Sequence, residues 1–172
     1  MKVLSLLFCL LFVVSFQATA QQKKNRLQPG RMYKAGENLY APRFGFIAKV
    51  PEGWEGVLPR ESEVFLLTTT TSTYGEIFVF GREHGDLNSM QADWIKGVDL
   101  SETIRIKAIK PTQQDGLLFS EITAEGEYIN KGFKGFVISR CSPSGPCVTT
   151  LMTAPVQYYE SVKNTVTEFM KS

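Results

Sequence analysis

The sequence has little histidine, the side chain that most often serves as a general base in enzymes. It has one histidine, His84, which follows a predicted strand. A base at His84, oriented by Glu83 or Asp86, would act on water or a serine. No Gly-x-Ser-x-Gly, His-Glu-x-x-His or P-loop sequence accompanies it. Because catalysis needs a constellation of groups, a surface histidine is favoured and no catalytic residue is predicted.

A marked excess of charge is also lacking. Nineteen Lys and Arg residues stand against 17 Asp and Glu residues. Nucleic-acid binding requires a concentrated basic footprint, so we expect no nucleic acid among the partners. After the N-terminal segment there is no second long apolar run. We therefore expect no transmembrane segment in the mature chain.

The one long apolar run lies at the N-terminus. Lys2 precedes apolar residues from Val3 to Phe16, and a small-residue Ala-Thr-Ala sequence ends at Ala20. The run is shorter than the roughly 20 residues of a spanning helix, and the pattern is typical of a secretory signal. We predict a signal peptide at 1–20, cleaved after Ala20, and a secreted or periplasmic protein. An uncleaved anchor helix is the alternative.

Residues 21–42 are predicted to be a flexible basic arm. A Pro-Gly pair marks a turn, and the apolar residues show no regular period. The charged residues are Lys23, Lys24, Arg26, Arg31, Lys34 and a single acid, Glu37. Because spread charges attract weakly at physiological salt, a solvated N-terminus is favoured over a tether to an anionic membrane or partner.

Residues 43–172 are predicted to form one globular domain rich in strands. In strand 76–82, residues from Ile77 to Phe80 are apolar on both faces, so that strand needs cover on both sides. Short turns between strands favour antiparallel pairing. The other predicted strands lie at 44–50, 63–69, 102–108, 117–125, 128–140 and 147–153.

Two predicted helices supply this cover. One is capped by Asn88 or Ser89 and extends to about Asp99, and the other begins at Pro155. Their apolar stripes are formed by Met90, Trp94 and Val98, and by Val156, Tyr159, Val162, Val166 and Phe169. We predict an α+β fold, an α/β/α sandwich with one twisted antiparallel sheet and two main helices. The alternative is a curved sheet around one long helix, with a buried ligand pocket.

A short motif resembles a known family. Residues 44–54 read Phe-Gly-Phe-Ile-Ala-Lys-Val-Pro-Glu-Gly-Trp, which is similar to the opening of PsbP/Mog1-like proteins. The order of elements over 40–171 resembles that superfamily too. It includes photosystem accessory proteins, a small-GTPase-binding protein and many secreted proteins. The resemblance implies a non-catalytic binding or assembly scaffold, and no functional residue is carried over from it.

Cys141 and Cys147 flank a turn-rich Ser-Pro-Ser-Gly-Pro connector between two predicted strands. Opposed residues at the mouth of a hairpin lie close enough for a disulfide, and export supplies an oxidising environment. Redox pairs usually have the spacing Cys-x-x-Cys, and zinc needs further ligands that the chain lacks. We therefore predict a structural disulfide, with no metal or cofactor. Cys9 is expected to be lost with the signal.

These observations favour an exported, non-catalytic binding or assembly module. Its partner would be a protein or a cell-envelope component, and the sequence leaves the oligomeric state open. The alternative is a small-ligand carrier or a hydrolase with a pocket beside Trp54, Tyr74 or Trp94. Core packing is the favoured interpretation of these three aromatic residues.

Overall fold

The structure is a computed structural model that describes residues 26–70, 75–82, 85–99, 102, 105–125 and 132–172. The predicted signal peptide, with Cys9, lies outside these ranges, as do Tyr74, Glu83 and His84. No helix in the described ranges is long and apolar enough to cross a membrane.

Twelve strands and two α-helices are present in the described part of the chain. The helices are α1 (Leu87–Lys96) and α2 (Tyr159–Lys171), with short 3-10 helices at Pro42–Phe44 and Val156–Tyr158. The strands are β1 (Met32–Lys34), β2 (Asn38–Ala41), β3 (Phe46–Lys49), β4 (Trp54–Val57), β5 (Val64–Thr69), β6 (Glu76–Arg82), β7 (Val98–Asp99), β8 (Arg105–Ala108), β9 (Thr112–Gln114), β10 (Leu117–Glu125), β11 (Phe133–Cys141) and β12 (Cys147–Pro155).

Ten of the described strands form one antiparallel sheet, in the order β1-β4-β5-β6-β12-β11-β10-β8-β7, with β9 also paired to β10. β2 and β3 form a separate antiparallel hairpin. The centre of the sheet is built by β6, β12, β11 and β10, whose long registers place Leu151 opposite both Val137 and Phe78. Each of these central strands is therefore hydrogen-bonded to a neighbouring strand on both sides.

Both faces of this sheet are covered. On one face, α2 and the β2–β3 hairpin pack over Ile77 and Val79. On the other face, Met90 and Trp94 of α1 pack with Phe78 and Leu151. The predicted α+β sandwich with two main helices is confirmed, because the strand that is apolar on both faces does lie between two apolar layers.

The amphipathic pattern of α2 determines which face of the helix packs on the sheet. Val162, Val166, Phe169 and Met170 are each at most 4% exposed. Burial of one such side chain stabilises the fold by about 1.5–3 kcal/mol relative to leaving it in water. These side chains therefore hold the helix on the sheet.

Residues 26–42, predicted to belong to a flexible arm, are instead packed against the rest of the domain. Tyr33 and Leu39 are 0% and 1% exposed and belong to the core. β1 pairs with β4 at the sheet edge, and the Tyr33 hydroxyl accepts a 2.7 Å hydrogen bond from the backbone N–H of Gln28. Strands of three and four residues are too short to give a recognisable period, so their apolar residues were not detected in the sequence.

Element boundaries differ from prediction at both helices. Asp86, rather than Asn88 or Ser89, caps α1 and accepts a 2.8 Å bond from the Ser89 N–H. The helix ends at Lys96, and Val98 begins β7.

The C-terminal helix begins later than predicted. Pro155 ends β12 instead of starting a helix, so α2 begins at Tyr159 and Val156 is 55% exposed. Strands β1, β2, β4, β7 and β9 were not predicted. The strand predicted at 44–50 is shortened to β3 because Pro42–Phe44 form a 3-10 turn.

Candidate functional site

The predicted Cys141–Cys147 disulfide is present. The two residues end β11 and begin β12 as direct register partners, with Cα atoms 3.9 Å apart. In the loop between them, the Ser142 N–H donates to the Pro146 carbonyl at 2.8 Å, and Gly145 takes a φ of 109° that only glycine adopts readily. The disulfide therefore cross-links β11 and β12 at the end of their hairpin.

The closed loop contacts both layers of the molecule. The Sγ of Cys141 lies 3.8 Å from the Sδ of Met90 on α1. On the other side, Gly45 approaches the loop so closely that a Cβ there would lie 3.1 Å from the Ser142 Oγ. Gly45 directly follows the 3-10 helix Pro42–Phe44, so the loop supports that turn.

A cleft of about 250 Å³ opens beside this turn. We call it the Phe44 cleft; it lies between residues 26–27, the 40–44 segment, residues 58–63 and the sheet face of β5 and β6. Its inner walls are buried side chains that belong to one core layer: Leu39, Phe46, Phe65, Val79, Val148 and Phe169.

Phe44 and Gly81 shape the floor of this cleft. The ring of Phe44 lies directly on the backbone of β6, and a Cβ at Gly81 would lie 2.1 Å from the Phe44 Cζ. No real Cβ tolerates such a contact, so any side chain at position 81 must displace the ring. Glycine in this strand therefore permits a close approach that the cleft requires.

The rim of the cleft is charged. Arg26, Arg43 and Glu63 line it and are exposed. The guanidinium carbon of Arg43 lies 5.6 Å from the centre of the Phe44 ring, which places its charge beside the apolar floor. The charged lining residues thus include two cations and one anion.

A second cavity, of about 220 Å³, lies between α2 and the sheet. Phe119, Phe136 and Lys163 line it, and the Lys163 Nζ lies 5.1 Å from the centre of the Phe136 ring. Nearby, the Tyr159 hydroxyl donates to the Glu121 Oε1 at 3.3 Å. Burial, followed by the charge of Glu121, raises the pKa of Tyr159. This tyrosine remains a neutral hydrogen-bond donor at physiological pH.

Neither Trp54 nor Trp94 lines the Phe44 cleft. Trp54 and Trp94 are 5% and 0% exposed and are core residues. The Trp94 Nε1 is buried with no hydrogen-bond partner in the described part of the chain. His84 and Tyr74 lie outside the described residues, so the two predictions about them stay untested.

The sequence analysis did not predict the Phe44 cleft. Its walls come from segments that lie far apart in the chain, and one of them belonged to the predicted flexible arm. The available signal was Gly81, a glycine directly after the apolar run from Ile77 to Phe80. Such a glycine indicates close approach of another group, although it does not identify the group.

Comparisons with known proteins show the fold. No family model matches the chain, and no curated protein matches it. Among solved structures, it is similar to cyanobacterial PsbP (CyanoP) from Synechocystis sp. PCC 6803, with 14% identity and a TM-score of 0.55. The match covers 83% of this chain and 89% of that one. The chain therefore has a PsbP-like fold, as the resemblance in its sequence implied.

Proposed function

We propose that this protein is an exported, non-catalytic binding or assembly module whose partner is a protein or a cell-envelope component. The PsbP-like fold, which extends over 83% of the chain, carries this proposal. The resemblance at residues 44–54 implies the same role, since superfamily members act as accessory and binding scaffolds. Fold alone does not determine function, so the test must recover a partner.

Export is supported by two independent features. The sequence of residues 1–20 has the pattern of a secretory signal. The Cys141–Cys147 disulfide belongs to an oxidising compartment, because cytosolic thiols are kept reduced. Together they favour a periplasmic or secreted protein.

One end of the sheet offers a surface for a partner. Phe133 and Val156 are 38% and 55% exposed. They lie where β11 begins and β12 ends, since Phe133 pairs with Pro155 and the Val156 N–H donates to the Gly132 carbonyl at 2.8 Å. We call Phe133 and Val156 the sheet-end pair. Contiguous exposed apolar patches mark protein interaction sites, so we take this neighbouring pair as the candidate contact.

Cross-linking in the native envelope fraction tests the proposal. The wild-type protein is expected to be joined to a reproducible partner, and the double variant Phe133→Ser/Val156→Ser is expected to lose it. The matched control is Ile95→Ser/Ile109→Ser, whose residues are 54% and 50% exposed and lie elsewhere. It should keep the partner.

Two results would contradict this proposal. One is recovery of no partner under gentle cross-linking, which would count against a binding module. The other is equal loss in both double variants, which would remove the sheet-end pair from the interface. Thermal unfolding of each variant checks that it is folded, and surface changes of this kind typically alter stability by about 0.5 kcal/mol or less.

A further inference from the structure

The Phe44 cleft combines apolar walls with a charged rim, at a place separate from the sheet-end pair. Phe46, Phe65 and Val79 line its interior and are 3%, 3% and 7% exposed. Ligand sites in proteins have this composition: mostly apolar lining with a few polar groups that fix orientation. The cleft is therefore suited to a small molecule with an apolar body.

The size of the cleft limits that body. Its volume of about 250 Å³ lies just below the common range for small-molecule sites, roughly 300–1,000 Å³. One hydrocarbon chain or one ring system fits this space better than a two-tailed lipid does. The ligand class is thus small and single-tailed.

The rim favours a negative head group. Arg26 and Arg43 outnumber Glu63 among the charged lining residues. A guanidinium binds a carboxylate through two parallel N–H···O bonds, which gives both affinity and orientation. The Arg43 guanidinium lies beside the Phe44 ring, at the boundary between the apolar lining and the rim. A carboxylate at the rim can therefore be held while its tail enters the cleft.

The chain's own preceding residues are chemically unsuited to this space. In the mature chain predicted from the sequence, the five residues before Arg26 are Gln-Gln-Lys-Lys-Asn. They contain no apolar side chain to cover the walls, and they carry two lysines and no acidic residue. Their composition complements an anionic ligand and does not replace one.

We propose that the Phe44 cleft binds a single-tailed amphipathic carboxylate. The tail lies against the half-buried apolar lining residues Leu27, Ala41 and Leu58, and the carboxylate pairs with Arg26 and Arg43. This inference does not depend on the partner proposed above, because it concerns a different surface and is tested on the purified protein alone.

Binding of three probes with the same tail tests the inference. Decanoate, 1-decanol and decylamine are titrated into the purified, disulfide-bonded protein, with amide shifts followed by NMR and affinity by calorimetry. Decanoate is expected to bind most tightly and decylamine most weakly. The shifts should centre on residues 40–44 and 79–81.

Variants separate the head-group contact from the tail contact. Arg26→Gln and Arg43→Gln should each raise the Kd of decanoate about tenfold, the loss expected for one charge-assisted contact, and leave 1-decanol unchanged. Lys49→Gln and Lys110→Gln remove exposed charges outside the cleft lining and should leave all three affinities unchanged. Ala41→Phe fills the cleft and should abolish binding of every probe, and Leu58→Trp serves where the first variant is unstable.

Several outcomes would overturn the inference. These are equal affinity for the three head groups, unchanged decanoate binding in both arginine variants, shifts that map to the cavity at Lys163, and no saturable binding at millimolar probe. None of them bears on the cross-linked partner, which is measured through the sheet-end pair. The two proposals therefore fail separately.

Discussion

The contact between Phe44 and Gly81 predicts that Gly81→Ala destabilises the wild type but stabilises a variant that lacks the Phe44 ring. Gly81→Ala introduces a Cβ that would lie 2.1 Å from the Phe44 Cζ, so the ring must move. Such overpacking typically costs about 1–3 kcal/mol. Alanine in place of glycine inside a strand, on the other hand, stabilises by about 0.5–1 kcal/mol because the unfolded chain loses freedom. In the wild type the clash is the larger effect, and we expect a net loss of about 1 kcal/mol.

Removal of the ring reverses the balance. A Phe44→Ala background removes the three atoms that lie nearest to the added methyl group, and Gly81→Ala should then raise the free energy of unfolding by about 0.5–1 kcal/mol. The coupling energy between the two positions is thus about 2 kcal/mol, well above the about 0.5 kcal/mol error of additivity. Urea unfolding of the four proteins, followed by fluorescence, measures it.

Gly85 supplies the control for this cycle. It has no atom within 4 Å of a Cβ built on it, and its backbone does not require glycine. Gly85→Ala should therefore have the same effect with and without the Phe44 ring. If Gly81→Ala also had equal effects in the two backgrounds, the proposed packing of Phe44 on β6 would be refuted.

Three further predictions follow from the disulfide, the cap of α1 and the N-terminus. Cys141→Ala/Cys147→Ala should lower the free energy of unfolding by about 2 kcal/mol, the chain-entropy value for so small a loop. Reduction of the wild-type disulfide should cause the same loss in urea unfolding. Reduction without effect on stability would contradict a structural role for the disulfide. Hydrogen bonds from the Ser89 and Asn88 N–H groups lower the pKa of Asp86 from its ordinary value of 3.8. The ionised Asp86 carboxylate therefore stabilises the fold fully above pH 3.8, and this stabilisation is lost as the pH falls through the lowered pKa. Asp86→Asn should be less stable than the wild type at pH 7, and the two stabilities should converge in acid unfolding. Mass spectrometry of exported protein should give a chain beginning at Gln21, and an intact N-terminus would contradict signal cleavage.

Much of the fold could be predicted from periodicity. The bounds of β6 and β10 match the predicted 76–82 and 117–125, because long strands with turns at both ends leave a clear pattern. The apolar residues on both faces of β6 also predicted the two helical layers. These successes share one cause: the pattern lies within a single continuous segment.

Features that depend on distant pairing could not be predicted. β1 and β9 are three residues long and are defined by their partners, β4 and β10. At Pro155, the favourable position of proline in a first helical turn predicted a helix start, yet pairing with Phe133 extends β12 to that residue. Tertiary pairing outweighed local preference there.

The candidate site brings together what the sequence predicted and what it did not. The disulfide was predicted from spacing, and its loop supports the turn at Gly45 that carries Phe44. Phe44 in turn rests on Gly81, and the segment that begins at Arg26 closes the same cleft. A contiguous set of contacts therefore leads from Cys141 to the cleft walls. The oxidised hairpin both stabilises the fold and holds the Phe44 turn in the position from which the cleft is built.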